Sequence, residues 1–430
     1  MPKVAIIGAG SVVFAQRLTT DILSWPELQD STISLMDINA ERLELIGALA
    51  DRLVREQNLP ARIERTTDRR AALDGADYVI VAIQVGGVPA VRPDVEIPHR
   101  CGVDQAVGDT LGPGGVFRGL RTVPVILEIC RDMAELCPRA LLINYSNPMS
   151  MICWAVGATT KIQAIGLCHS VQGTSRQLAG YVDVDYDEVA YWVAGINHQA
   201  WFLRFERRGD DLYPRLRAAL ANPEIYGKDP VRFELMRHFG YFPTESTRHN
   251  SEYVPYFRRT RELAEKYAPP WGRDYDLYVA RQERYYDNVK RQVSGEEPIP
   301  ADRTHEYCSY IIQSRETNTP LRINANVPNT GLITNLPNGC CVEVPCLVDN
   351  AGIHPCFVGD LPAQCAALNR ANIAVQELAV RGVLSGDREA IYRAVALDPL
   401  TAAVLPLDEA RRMTDDLFAA SAPWLPEGLR

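Results

Sequence analysis

The chain has 430 residues, 47% hydrophobic and 23% charged, a balance that excludes a disordered chain, a collagen-like repeat and a coiled-coil rod. Lys and Arg number 45 against 54 Asp and Glu, and the net charge of −9 argues against nucleic acid or an anionic membrane as the main partner. A chain this long buries a large core without disulfides, so eleven cysteines with no framework spacing read as reduced, mostly buried thiols. The first apolar run, Val4 to Ala9, is too short for a membrane span and lacks the charged start and cleavage site of a signal peptide. These features place the protein in the cytoplasm.

In chain order, residues 3–8 predict a buried strand, and 11–25 a helix carried by Val12, Leu18 and Ile22. A second strand is expected over 32–38, a helix over 40–57, a third strand near 61–65 and a short helix led by Thr66-Thr67-Asp68. Strands over 76–83, 140–146 and 161–168 follow, with a long helix over 118–136. Alternation of this kind predicts an α/β fold, a doubly wound parallel sheet with right-handed crossovers. Beyond the apolar run Val189 to Ala194, the pattern changes to Tyr- and Arg-rich helical stretches over 250–292, strands around 319–326 and 340–348, and helices over 361–384 and 407–420. The expected division is therefore 1–196, a dinucleotide-binding unit, and 197–430, an α+β unit packed against it.

Gly8-Ala9-Gly10-Ser11 lies between the first strand and the first helix, where glycines let a pyrophosphate approach the backbone and the helix N-terminus offers free N–H groups. Position 13, where the full fingerprint has a third glycine, is Val. Asp37 ends the second strand 27 residues after Gly10, where a carboxylate accepts hydrogen bonds from a ribose diol. The ordered set points to a dinucleotide, and the acidic residue favours NAD over NADP. Three polar loops leave later strand ends: Gln84-Val85-Gly86-Gly87, Asn144-Tyr145-Ser146-Asn147-Pro148 and Cys168-His169-Ser170. In an open parallel sheet that edge is where ligands bind. His198 follows Cys168 by 30 residues. The two read either as a buried thiol and a hydrogen-bonded histidine, or as two ligands of an open cation site completed by water or substrate oxygens. The loop Asp109 to Gly115 reads as a connection or as a wall over the nicotinamide, and Tyr253 as an aromatic packing residue or a catalytic one.

Together GAGS at 8–11, LMDI at 35–38, DTLGPGG at 109–115, NYSNP at 144–148, CHSVQGT at 168–174, GINH at 195–198 and NLPNGCCVEV at 335–344 make the chain resemble glycoside hydrolase family 4 over roughly residues 3–425. The Cys-His-Ser form followed by Val-Gln-Gly-Thr resembles its α-galactosidase (melibiase) branch. The resemblance implies a lactate/malate dehydrogenase-like Rossmann unit, bound NAD and a divalent metal, typically Mn²⁺. It also implies a mechanism outside the paired-carboxylate scheme: oxidation at sugar C3, removal of the C2 proton, elimination of the aglycone, addition of water and return of the hydride. Carried over by position, Cys168 and His198 are the metal ligands, Asn147 contacts the sugar, and His169 is the proton donor. Tyr253 is the base assisted by Asp109, with Glu245 the alternative base. Gly8, Gly10, Ser11 and Asp37 hold NAD. The partner is then a small α-glycoside, and the assembly a homodimer or homotetramer. Competing readings are an α-galacturonidase or α-glucosidase of the same family, a lactate/malate-type dehydrogenase that consumes NAD⁺ and needs no metal, and a non-enzymatic NAD sensor.

Overall fold

A computed structural model describes residues 1–430, the side chains of 12 and 13 excepted. The inward face expected of Val12 and the Val at the third-glycine position therefore lie outside the described side chains. Twelve strands form one sheet. In chain order they are β1 (Lys3–Ile7), β2 (Thr32–Met36), β3 (Arg62–Thr66), β4 (Tyr78–Val81), β5 (Leu141–Asn144), β6 (Ala164–Gly166), β7 (Val189–Ile196), β8 (Gln199–Arg207), β9 (Asp210–Asp211), β10 (Leu321–Pro328), β11 (Cys341–Asp349) and β12 (Gly352–Pro355).

The first six strands run parallel in the order β3-β2-β1-β4-β5-β6, the doubly wound Rossmann arrangement, with its switch point between β1 and β4. Period 2 sorts their side chains between two cores. Val4, Ile6, Ile33, Leu35, Ile80 and Ile143 enter one core with the helices Val12–Leu23, Ala40–Glu56 and Tyr307–Thr317. Ala5, Ile7, Val79, Val81 and Leu142 enter the other with Gly112–Leu136, Met149–Thr159 and Ala363–Ser385. Burial on both faces explains why β1, β4 and β5 read as apolar runs, whereas the edge strand β3 is partly exposed and polar.

The sheet continues past β6 as antiparallel strands, β10-β11-β7-β8-β9, with β12 on β11. Its joins are narrow. Asn326 of β10 pairs with Gly166 of β6, and Glu343 of β11 pairs with Gly195 of β7. One row of residues thus runs Gly166, Asn326, Glu343, Gly195 across four strands, and the chain two or three residues beyond each glycine carries Cys168 and His198. Asn324 donates to the Val193 carbonyl and Asn326 to the Gly166 carbonyl, fixing this register with buried hydrogen bonds.

Several local expectations shift. The helix expected from residue 118 begins at Gly112, so Gly112–Gly115 form its first turn. A helix over Gly87–Arg100, not expected from sequence, contains Pro93 and Pro98. The helices Tyr307–Thr317, Arg388–Leu397 and Pro399–Val404 also lie where no element was expected. All eleven cysteines are free and nine are buried. Among the described residues no helix is long and apolar enough to cross a membrane.

Candidate active site

The C-terminal edge of the parallel strands carries two clusters. At the switch point, Gly8 has φ 87° and turns the chain after β1; a Cβ there would lie 2.5 Å from the Ala82 carbonyl oxygen. Gly10 donates its N–H to Asp37 Oδ2 at 2.8 Å, and Asp37 Oδ1 accepts from the Asn39 N–H at 2.8 Å. A Cβ on Gly10 would stand 2.7 Å from that carboxylate, so only glycine leaves the cradle open. Ser11 opens the following helix without using its hydroxyl as a cap. Ile38, next to Asp37 in the chain, is 89% exposed. Tyr286, on the helix Tyr275–Ser294, donates its hydroxyl to the Gly10 carbonyl at 2.7 Å, and the Arg42 guanidinium stacks on its ring at 4.5 Å. The later half of the chain thus touches the glycine turn directly.

The second cluster forms where β6 ends and the β7–β8 hairpin turns. Cys168 sits just past β6, and His198 occupies the two-residue tip of the hairpin, where Ile196 faces Gln199. Residues 242–245 lie against β8: Phe202 N–H donates to the Phe242 carbonyl at 2.9 Å, and Thr244 N–H to the Ala200 carbonyl at 2.8 Å. This brings Glu245 beside His198. The Sγ of Cys168, a ring nitrogen of His198 and a carboxylate oxygen of Glu245 all lie within 4.8 Å of one another. Glu245 Oε2 is 3.6 Å from His198 Nε2. His198 and Glu245 both adopt the left-handed region, at φ 63° and 71°, which side chains other than glycine rarely occupy. Asn250 pins both: its Nδ2 donates to the carbonyls of His198 at 2.9 Å and Thr244 at 2.7 Å.

Behind the cluster runs a buried hydrogen-bond chain. His198 Nδ1 is 2.9 Å from His249 Nε2, and His249 Nδ1 is 3.3 Å from Glu252. Glu252 in turn accepts from the N–H groups of Val107, at 3.0 Å, and Gly108, at 3.2 Å. If His198 offers the Nε2 lone pair toward Cys168 and Glu245, its Nδ1 carries the proton, His249 Nε2 accepts it, and His249 Nδ1–H points at Glu252. Thr110 Oγ1 branches from this chain, 3.0 Å from His249 Nε2 and 2.7 Å from the Tyr253 hydroxyl. Tyr253 is 1% exposed, and burial pushes its phenol well above the ordinary value of 10.0.

Asp109 accepts from Asn147 Nδ2 at 3.2 Å and lies 3.7 Å from Arg118, while its Oδ1 is buried without a partner. Burial pushes this carboxyl up, but the Arg118 guanidinium, joined by His249 and His198 whenever those rings are protonated, outweighs it, and the net shift is downward. Glu245 behaves alike: burial raises it, yet His198 and His249 in their protonated forms bring it to about 2. Cys168 goes the other way, its thiol pushed well up by burial and by the carboxylates of Glu343 and Glu245. His169 stands on the rim, its side chain 68% exposed and Nδ1 3.7 Å from Glu306.

The structure therefore gathers Cys168, His198, Tyr253, Asp109 and Asn147 around one edge of the sheet, with His169 at its rim. Gly8, Gly10, Ser11 and Asp37 form the separate cradle beside the switch point. Sequence reasoning did not assign Glu343, Thr110, His249 or Glu252 to the site. Glu343 is 0% exposed, neither carboxylate oxygen has a hydrogen-bond partner, and burial raises it to about 8. A carboxylate inside the apolar strand sequence Cys340-Cys341-Val342-Glu343-Val344 was the available signal.

A Rossmann-type sheet with an open glycine cradle, beside a thiol–imidazole–carboxylate cluster, defines a nucleotide-fold enzyme with a second, cation-competent site. Residues 3–184 match the family 4 glycosyl hydrolase domain and residues 193–401 match the family 4 glycosyl hydrolase C-terminal domain. The chain belongs to glycosyl hydrolase family 4, whose members are glycosidases acting on O-glycosyl bonds. It is 42% identical to an α-galactosidase of Bacillus subtilis over 99% of this chain and 100% of that protein. It is 37% identical to an α-galactosidase of Rhizobium meliloti over 99% of this chain and 89% of that protein. A 6-phospho-α-glucosidase from gut microorganisms, solved in complex with NAD and Mn²⁺, shares the fold with a TM-score of 0.84 at 22% identity, covering 99% of both chains.

Proposed function

We propose that this glycosidase hydrolyses α-galactosides with NAD and a divalent cation such as Mn²⁺, by oxidation at C3, deprotonation at C2 and elimination of the aglycone. The observation that carries the reading is the convergence of Cys168, His198 and Glu245 within 4.8 Å, at the strand edge that also holds the Gly8/Gly10/Asp37 cradle. The NAD and Mn²⁺ of the gut 6-phospho-α-glucosidase and the α-galactosidase activity of the two bacterial relatives support the same reading.

The residues fit both groups. The glycine turn, the uncommitted Ser11 hydroxyl and Asp37 suit a pyrophosphate and a ribose diol. The thiol of Cys168, the imidazole of His198 and nearby oxygen donors suit a divalent ion. When bound, NAD supplies a reversible hydride acceptor, and the cation supplies Lewis-acid polarisation of sugar oxygens and a positive charge that favours the Tyr253 phenolate.

The chain's own residues then do the following. Tyr253, as the phenolate, takes the C2 proton, and the Thr110 hydroxyl beside it donates to that phenolate, next to the His198–His249–Glu252 relay. Asp109, ionised and paired with Asn147 and Arg118, keeps negative charge near that relay. Asn147 binds a sugar hydroxyl. His169, exposed at the rim, gives its proton to the departing glycosidic oxygen, and Glu306 orients the ring. The division at 196/197 separates the unit that holds the dinucleotide from the one that contributes His198 and Tyr253. A homodimer or homotetramer in the cytoplasm completes the proposal.

The test is turnover of nitrophenyl α-galactoside, α-galacturonide and α-glucoside with NAD⁺, Mn²⁺ and a thiol reductant. The α-galactoside should be hydrolysed fastest. Preference for the galacturonide or the glucoside would reassign the substrate within the family.

A further inference from the structure

We propose that Glu245 is a third protein ligand of the cation, so that the site is Cys168/His198/Glu245 and not a thiol–imidazole pair alone. The inference rests on the cation reading above and assigns Glu245 a role other than that of a base. Three observations carry it.

The first is geometric. One donor atom from each residue falls within a single 4.8 Å span, and the Glu245 carboxylate faces His198 Nε2 at 3.6 Å, the nitrogen left free once Nδ1 is committed to His249. The second is conformational. Glu245 and His198 both hold left-handed backbone, and Asn250 ties the two segments together through the His198 and Thr244 carbonyls. Strain of this kind persists where surrounding structure over-determines it, and it concentrates at ligand clamps. The third is the orphaned carboxyl of Glu343. It lies in the row between Gly166 and Gly195, is fully buried, and has no partner on either oxygen. It pairs with Gly195, three residues before His198. A buried carboxyl with no partner on either oxygen implies a hydrogen-bonding group that the protein itself does not supply. Water on a cation held by the three ligands meets that need.

The chemistry agrees with the geometry. Thiolate and imidazole alone make a soft pair for a hard ion, and a carboxylate oxygen supplies the hard donor that Mn²⁺ prefers. Charge agrees as well, since a thiolate and one ligand carboxylate together neutralise a divalent cation.

The experiment is Mn²⁺ titration of metal-free protein, followed calorimetrically or by the loss of the free-ion paramagnetic signal. It compares wild type, His198→Ala and Glu245→Gln, with NAD binding as the measure of intact fold. Glu245→Asn serves as a second variant, because a short amide tolerates φ 71° and also removes the charge. Glu245→Gln and Glu245→Asn should each raise the Mn²⁺ dissociation constant at least tenfold, beyond the lower bound seen when only an outer partner of a ligand is lost. NAD binding should be unchanged. If either variant retains NAD binding and takes up Mn²⁺ within twofold of wild type while His198→Ala does not, Glu245 is no ligand and the cation reading stands. If wild type itself takes up no Mn²⁺, both fall together.

Discussion

Glu343→Gln in the metal-free protein should change how stability depends on pH. The folded chain holds this carboxyl at about 8 against an ordinary 4.5, through burial, with Glu245 adding to the rise and His198 opposing it. Between those two values the unfolded chain has released a proton that the folded chain retains. The slope of unfolding free energy with pH is therefore negative: stability is complete below about 4.5 and falls as pH rises to about 8. At about 1.4 kcal/mol per pH unit, the whole window is worth about 5 kcal/mol, and the part between pH 5.5 and 8 about 3 kcal/mol. Glutamine keeps the shape and has no proton to lose. Urea denaturation of wild type and Glu343→Gln at pH 5.5 and pH 8 measures the difference. The variant should gain about 3 kcal/mol relative to wild type on going to pH 8. Parallel pH profiles for the two proteins would refute the assignment of Glu343 as a proton-holding buried acid.

Cys168→Ser and His198→Ala should each abolish Mn²⁺-dependent hydrolysis while NAD binding survives, and oxidant should inactivate the wild type unless a thiol reductant is present. Wild-type turnover and metal dependence in either variant would remove it from the metal site. Tyr253→Phe should retain NAD and Mn²⁺ binding and lose roughly 10²- to 10⁴-fold in turnover, the scale of a lost general base. Solvent exchange of the C2 proton should stop with it; exchange at the wild-type rate would exclude Tyr253 as the base.

The parallel half of the fold was legible because β1, β2, β4 and β5 are largely buried on both faces and strands alternate with helices along the chain. Gly8, Gly10 and Asp37 could be read in order along the chain for the same reason. What failed to show were features without a local signature. The helix Gly87–Arg100 was hidden by Pro93 and Pro98, which ordinarily end helices. The β7–β8 hairpin turns on Asn197-His198, with no glycine to announce it, so His198 read as the end of a strand. Pairing of Asn326 with Gly166 and of Glu343 with Gly195 joins residues about 150 positions apart, and these contacts bring Cys168 to His198. The relay from Glu252 through His249 to His198 and Tyr253 depends on the same long-range closure. Glu245 was legible as an alternative base but not as a neighbour of His198 and Cys168, because that position follows from residues 242–245 lying against β8.

The most direct test of the redox-assisted mechanism is hydrolysis of an α-galactoside in deuterated water with NAD⁺ present in catalytic amount. Many turnovers per NAD⁺, no net NADH and a product sugar carrying deuterium at C2 are expected. A product with its C2 hydrogen retained, or NADH accumulating in step with product, would contradict that mechanism.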